Sequence, residues 1–363
     1  MYSFEPTEEQ RMLIEAIERY ATNDLRVAAH DADETGELPA DLIEKGWEMG
    51  VLQASIPEAY GGFGERSAVT GVLAAETMGW GDLAGALAVM LPATYAMPIL
   101  LGGTEGQKTE LLPPIIEAEW KPYTTAFIEP VFDFYPGDMQ TTAEKKGDGY
   151  VLNGEKAYVL FADKAQSILV YAALDGQTQA FIVPGGAEGL LIGEREKLMG
   201  IGGLPCFRVR LNNLQIPLES RLGGEEGFDF GPVLASAQVA IAALALGVSK
   251  AALDYALPYA KEREVWGVPI AQRQSIAFML AEMAAAIEAN RLLVWEAAWM
   301  LDQEKDVSKE AFLAFTGATD MVMMVTDRAV QVLGGHGFIR EHPVELWMRN
   351  GRGFSTFTGL AMV

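Results

Sequence analysis

The chain has 363 residues, half of them hydrophobic, and its 27 Lys and Arg against 50 Asp and Glu give a formal net charge of −23. A surface this negative repels the phosphates of nucleic acid and the headgroups of anionic lipids, which argues against nucleic-acid and membrane partners. One cysteine, Cys206, and three histidines, His30, His336 and His342, exclude an internal disulfide framework and a Cys-rich metal site. We expect a buried structural thiol, a reducing cytoplasm and no metal centre.

Residues 1–123 are predicted to form a helical domain. Thr7 and Gln10 have the spacing of a helix capping box. A second helix is predicted over Ala40–Met49. The segment Gly103–Thr109 lacks the glycine spacing of a phosphate-binding loop, so we interpret it as a turn between helices. The acidic N-terminal residues lack the basic and apolar regions of a signal peptide, and export is not expected.

Residues 124–224 are predicted to form a small β domain, either a barrel or a sandwich. Short runs rich in Val, Ile, Tyr and Phe are separated by dipeptides and tripeptides that favour turns. These turn signals are Gly147-Asp148-Gly149, Asn153-Gly154 and Asp175-Gly176. Apolar and charged residues alternate over Phe207–Leu211, which predicts a strand with one buried face.

Residues 225–363 are predicted to form a helical bundle. The helical period returns over residues 230–260, 271–302, 308–333 and 343–350, all approximate bounds. The most apolar run, Val233–Leu246, is shorter than the roughly 20 residues that a membrane-spanning helix needs, so we expect a buried core helix. The chain has no G-x-S-x-G elbow and no G-x-G-x-x-G after a strand, which disfavours a serine hydrolase and a Rossmann dinucleotide site.

Seven segments occur in the order typical of one family of flavoproteins. They are Ile56–Gly62, Glu129-Pro130, Tyr150–Lys156, Glu262–Gly267, Phe278–Met283, Gln331–Phe338 and Pro343–Arg349. With these landmarks the chain resembles the acyl-CoA dehydrogenase family over essentially its whole length. The resemblance implies a multidomain α+β fold with an N-terminal helical domain, a middle β domain and a C-terminal four-helix bundle, assembled as a tetramer or dimer of dimers.

The resemblance also implies a reaction, in which a carboxylate removes the α-proton of an acyl-CoA thioester while the β-hydride passes to FAD. Most family members carry this carboxylate as a Glu before a Gly, at the position of Thr358 here. A minority carry it on the first long C-terminal helix, one residue before an Arg often used to anchor the substrate, and these two positions hold Ala237 and Gln238 here. None of these three side chains can act as that base. The resemblance therefore assigns no catalytic residue to this chain.

The two ends of the FAD site differ in how well this chain matches the family. On the flavin-ring side, Glu129-Pro130 is followed by a loop three residues longer and bulkier than the family's Gly-Ala-Gly-Ser-Asp. Tyr158 and Leu160 replace the family's Trp and its hydroxyl donor. The resemblance implies that the ADP half of FAD, reaching across a subunit interface, is bound by Arg263, Trp266, Gln274, Gln331, Gly334 and Gly335. The Arg263 guanidinium would supply the positive charge that a pyrophosphate requires.

This asymmetry leads to a hypothesis. The chain would be the base-lacking half of an α2β2 FAD-dependent enzyme that introduces a 2,3-double bond into an acyl-CoA, in fatty acid or steroid side-chain catabolism. Its partners would be a paralogous catalytic subunit, acyl-CoA and an electron-transfer flavoprotein. Two alternatives stay open. One is a homomeric flavoprotein with a relocated base, for which Asp133 and Asp138 are candidates, or with other acyl-CoA chemistry. The other is a flavin-free acyl-CoA-binding or scaffold protein.

Overall fold

The computed structural model describes residues 6–363, and helices form its N-terminal third. These are α1 (Glu8–Tyr20), a π-helical turn (Ala21–Leu25), α2 (Arg26–Thr35), α3 (Ala40–Trp47), α4 (Val51–Ser55), α5 (Ala68–Gly81), α6 (Leu83–Met90), α7 (Ala93–Gly102) and α8 (Glu105–Leu111). The capping box is confirmed, since the Thr7 hydroxyl accepts the Gln10 backbone N–H. The interpretation of Gly103–Thr109 as a turn is only partly right, because Gly103 and Thr104 connect α7 to α8 but residues 105–109 lie in α8, whose N-terminus Thr104 caps. The predicted second helix is α3, which ends two residues early.

A single sheet forms the middle of the chain. Its strands are β1 (Tyr123–Ala126), β2 (Thr142–Lys146), β3 (Gly149–Leu160), β4 (Ser167–Leu174), β5 (Gln177–Pro184), β6 (Leu190–Arg195) and β7 (Cys206–Pro217). Their spatial order is β1-β4-β2-β3-β7-β6, with β5 also paired to β4. The predicted turns at Gly147–Gly149 and Asp175-Gly176 are confirmed, because they join the antiparallel pairs β2–β3 and β4–β5.

The turn predicted at Asn153-Gly154 is wrong, since both residues lie inside β3. The register between β3 and β7 shifts between Leu152 and Gly154, which marks a β-bulge. A Cβ on Gly154 would lie 2.5 Å from Oγ1 of Thr141. The glycine is therefore explained by a close approach of neighbouring backbone, and the ladder with β2 and β7 overrides the local turn preference.

Three long helices dominate the C-terminal part, as predicted. The elements are α9 (Phe230–Glu262), a short hairpin of β8 (Glu264–Val265) and β9 (Val268–Pro269), α10 (Gln274–Asp302), α11 (Ser308–Leu333) and α12 (Val344–Gly351). Helix α9 packs against α5, α10 and α11. It is long and apolar enough to cross a membrane, but 78% of its most apolar stretch is buried inside the protein. The expectation of a core helix is therefore confirmed.

The sheet places one face against the helices. Along β4, Ile168 belongs to the core of the middle domain, whereas Leu169 and Tyr171 pack into the helical core. Phe127, just after β1, contacts Tyr171 and stacks on Phe230 at the start of α9, with ring centroids 4.8 and 5.9 Å apart. These aromatic contacts join the sheet to the bundle, and the loop that follows β1 lies at this junction.

The lone cysteine is buried. Cys206 begins β7 and is fully shielded from solvent. Burial raises the pKa of its thiol to about 12, so the group is a protonated thiol at neutral pH. The expected structural role of this residue is confirmed.

Candidate functional site

A cleft of ≈ 820 Å³ lies where the middle domain meets the C-terminal helices, and we call it the interdomain cleft. The loop after β1 forms one wall, with Phe132, Phe134 and Tyr135. Side chains of β3 and of the segment directly after β6 also line the cleft. Helices α9 and α11 and the C-terminal segment form its opposite side. The lining side chains of these elements include Tyr158, Glu196, Gln238, Phe315 and Thr358.

The usual family position of the base, Thr358, lines this cleft. Gln238 also lines it and directly follows Ala237, which occupies the alternative position of the base on α9. Ala237 is fully buried and does not line the cleft. Neither the hydroxyl of Thr358 nor the methyl group of Ala237 accepts a proton at neutral pH, so neither position can supply the base.

Within residues 6–363, the carboxylates that line the cleft are those of Glu129 and Glu196. Asp133 and Asp138, the candidates for a relocated base, are exposed and do not line it. No motif surrounds Glu196, so the sequence alone does not identify it as a candidate base. Its Oε1 accepts a hydrogen bond from Nε of Arg208 at 3.2 Å, so a guanidinium already occupies one of its oxygens.

Glu129 is fully engaged in structural contacts. Its two oxygens accept the backbone N–H groups of Gln140 and Thr141, both at 2.7 Å, and the Lys156 ammonium lies 2.9 Å from Oε1. Lys156 also donates to the Phe127 carbonyl at 3.2 Å. Burial alone would raise the pKa of the Glu129 carboxyl, but the ammonium and the backbone donors outweigh it and hold that pKa below its usual range. Glu129 is thus a carboxylate that stays ionised, and its hydrogen bonds to residues 140 and 141 join the two ends of the loop after β1.

Tyr158 and Leu160 occupy the two positions at which the family has a Trp and a hydroxyl donor. Tyr158 has a φ of 55°. It lies in a second bulge of β3, where the register with β7 shifts between Lys156 and Val159. A non-glycine residue in this left-handed region costs about 1–2 kcal/mol, so the surrounding ladder must hold it there. Leu160 is buried and apolar. The hydroxyl that the family places at this position is absent.

A second pocket, of ≈ 500 Å³, lies beside the β8–β9 hairpin, and we call it the hairpin pocket. Arg263, Trp266, Gly334 and Gly335 line it, as predicted for residues that share one ligand. Trp266 is 90% exposed at the tip of the hairpin. The other two predicted cofactor residues, Gln274 and Gln331, are exposed and each adjoins a lining residue without lining the pocket itself. Their role stays a prediction.

The hairpin pocket has the donors that an anion needs. The guanidinium of Arg263 is exposed and forms no ion pair in the part of the chain that the structure describes. Arg273 also lines the pocket, and its Nη2 donates to the Val265 carbonyl at 3.1 Å. A Cβ on Gly334 or Gly335 would meet no atom within 4 Å, so bare backbone faces open space. A pyrophosphate fits this arrangement of positive charge and accessible backbone.

Known proteins resemble this chain in sequence and in fold. Sequence models of the N-terminal, middle and C-terminal domains of acyl-CoA dehydrogenases match residues 7–119, 125–214 and 232–361. Subunit CarC of the caffeyl-CoA reductase-Etf complex of Acetobacterium woodii is 33% identical, over 98% of this chain and 96% of that protein. The probable acyl-CoA dehydrogenase YngJ of Bacillus subtilis is 35% identical, over 96% and 94%. The structure of butyryl-CoA dehydrogenase from Megasphaera elsdenii is similar, with a TM-score of 0.89 and 31% identity over 98% of this chain and 95% of that one.

Proposed function

Since the chain belongs to the acyl-CoA dehydrogenase family, we propose that it is the base-lacking half of an α2β2 FAD-dependent acyl-CoA dehydrogenase. One observation carries this proposal. Thr358, which lines the interdomain cleft, and Ala237 occupy the two family positions of the base, and neither side chain can accept a proton. Substitution at one position alone would be compatible with a base at the other.

The retained half of the cofactor site gives the chain its role in the complex. FAD, when bound, supplies a two-electron acceptor for the β-hydrogen of the acyl group. Arg263 would neutralise charge on its pyrophosphate, and the backbone at Gly334 and Gly335 would approach the phosphates closely. These groups lie in an open surface pocket, so they can hold the ADP half of a cofactor whose ring lies in a partner subunit.

The chemistry then belongs to the partner. A paralogous subunit that carries the Glu would remove the α-proton, and loss of the β-hydrogen as hydride would leave a 2,3-double bond in the acyl-CoA. An electron-transfer flavoprotein is the proposed acceptor of the two electrons. The name of CarC, a subunit of a reductase-Etf complex, supports such a partner.

Reconstitution tests the proposal. The chain is purified alone and together with a paralogue that has Glu at the position of Thr358, and acyl-CoA-dependent reduction of a redox dye is measured. We expect turnover by the complex and none by the isolated chain. Replacing the paralogue's Glu by Gln should abolish turnover, whereas Thr358→Ala in this chain should leave the rate unchanged. Turnover by the isolated chain at the rate of the complex would contradict the proposal.

A homomeric flavoprotein is the second candidate, and Glu196 is the observation that favours it. Its carboxylate lines the cleft and is partly exposed, with 23% of the side chain accessible. A base at this position would first have to release the hydrogen bond from Arg208. Loss of turnover in Glu196→Gln, measured on the isolated chain, would establish this candidate in place of the first.

A further inference from the structure

The hairpin pocket contains an ionisable group that the family resemblance does not assign. The imidazole of His336 lines the pocket together with Arg263 and Arg273. We propose that His336 is a further ligand for the pyrophosphate of the bound dinucleotide, and that its protonation strengthens binding. This inference rests on the proposed function, because it takes the hairpin pocket as the site of an ADP group.

The surroundings of His336 are cationic and aromatic. Its Nδ1 lies 2.6 Å from the hydroxyl of Tyr259, and its ring lies 5.4 Å from the ring of His342, centroid to centroid. Nδ1 of His342 lies 2.8 Å from the hydroxyl of Tyr255. The groups that face His336 are therefore the Tyr259 phenol on α9, Arg263 directly after α9, Arg273 directly before α10, and His342 from the segment before α12. No carboxylate within residues 6–363 forms an ion pair with either imidazole.

Protonation changes what this pair of side chains offers to a ligand. In the neutral ring, Nδ1 can accept the hydrogen of the Tyr259 hydroxyl. In the protonated ring both nitrogens are donors, so Nδ1 must donate to the Tyr259 oxygen instead. The hydroxyl hydrogen of Tyr259, which also lines the pocket, is then available to another acceptor. One proton thus adds a positive charge to the pocket, and the released hydroxyl hydrogen of Tyr259 can be shared between the Leu333 carbonyl, 3.5 Å away, and a ligand.

An imidazole side chain in general changes its charge between about pH 5 and 8, and the binding experiment below covers this range. Two positively charged imidazoles at this separation would repel each other. The expected gain is therefore that of a single charge. One unit charge about 4 Å from a phosphate, in a watery environment, corresponds to about fivefold in affinity.

Calorimetric titration of the full chain with ADP-ribose tests the inference. This probe has the pyrophosphate diester and adenosine of FAD but no flavin ring, and its own charge is constant between about pH 5.5 and pH 8. We expect binding about fivefold tighter at the lower pH. His336→Gln keeps a neutral hydrogen-bonding group beside Tyr259, and it should bind equally at both pH values. His30→Gln, an exposed control on α2, and His342→Gln should both keep the wild-type ratio.

The outcomes separate this inference from the proposed function. Equal affinities of the wild-type chain at both pH values, or an unchanged ratio in His336→Gln, would overturn the inference and leave the pocket intact. If the ratio of the ADP-ribose affinities at the two pH values were unchanged in His336→Gln, the pH effect would come from the many surface carboxylates instead. Loss of the ratio in His342→Gln alone would overturn the assignment to His336. Absence of ADP-ribose binding at either pH would overturn both the inference and the role of the pocket in the proposed function.

Discussion

The ammonium of Lys156 lies 2.9 Å from a carboxylate oxygen of Glu129, and both side chains are almost completely inaccessible to solvent. The pair connects β3 to both ends of the loop that forms one wall of the interdomain cleft. Burial lowers the pKa of Lys156 to about 8 against the attraction of Glu129, so the ammonium depends on its partner to remain charged. The shape of the cleft therefore depends on a buried ion pair that takes no part in the proposed reaction.

Removing one member of this pair should be strongly destabilising. Glu129→Gln leaves the Lys156 charge without a counterion, and we expect the free energy of unfolding to fall by about 3–5 kcal/mol in a urea titration. The double variant Glu129→Gln with Lys156→Met should recover part of that loss. Glu144→Gln breaks the exposed pair with Lys146 and serves as the control, with an effect below about 1 kcal/mol. Equal effects of Glu129→Gln and Glu144→Gln would show that the buried pair is not structural.

The buried carboxyl of Asp82 should make stability depend on pH. Its Oδ2 caps α6 by accepting the Gly85 N–H at 2.7 Å, and burial raises its pKa to about 6. The native chain therefore holds a proton that the unfolded chain releases, between about pH 4 and 6, and stability falls as the pH rises through this window. Asp82→Asn keeps an acceptor for the cap. It should remove this slope and raise the free energy of unfolding at pH 7 by roughly 2–3 kcal/mol. Parallel pH profiles of the two proteins would contradict this prediction.

Arg263 should matter for cofactor retention and not for folding. Its side chain is exposed and forms no ion pair within the described residues, so Arg263→Gln should leave the thermal midpoint unchanged. Loss of charge-assisted hydrogen bonds to a pyrophosphate should weaken FAD binding by the complex about 10- to 100-fold, measured by release of flavin fluorescence on dilution. Arg210→Gln, on an exposed part of β7, is the matched control. Equal flavin retention in both variants would remove Arg263 from the site.

Glu196 separates the two candidate functions in the complex. If the partner supplies the base, Glu196→Gln should leave kcat of the complex within about twofold of the unmodified value, since the side chain is held by Arg208. Glu194→Gln, two residues earlier at the end of β6 but exposed and outside the cleft, controls for the change in charge. A fall in kcat of about 100-fold or more, seen only in Glu196→Gln, would identify it as a base.

Local pattern accounts for most of the elements of this fold. The long helices α9, α10 and α11 have sustained apolar periodicity, and the Thr7 cap and the Asp175-Gly176 hairpin follow from residue types at fixed spacing. The turn signal at Asn153-Gly154 failed, because the dipeptide lies between two ladder partners and Gly154 is explained by the closeness of Thr141. Tertiary pairing decided that position, and sequence spacing alone could not reveal it.

The candidate site was only partly accessible from sequence. The positions of Thr358, Gln238 and Arg263 followed from the resemblance, and the structure places them at two pockets. Glu196 gave no such signal, and His336 was marked only as part of the segment Gln331–Phe338, because each reaches its pocket through contacts with residues distant in the chain. The bond from Tyr259 to His336 spans 77 positions. Such contacts depend on how α9 packs beside the end of α11, which no local pattern specifies.

Flavin stoichiometry tests the central claim most directly. The chain is purified alone and with its catalytic partner, the protein is denatured, and released FAD is quantified by absorbance against total protein. The base-lacking account predicts one FAD for every two chains in the complex, and no stoichiometric FAD in the chain alone. One FAD per chain in the isolated protein, together with oxidation of an acyl-CoA, would contradict it.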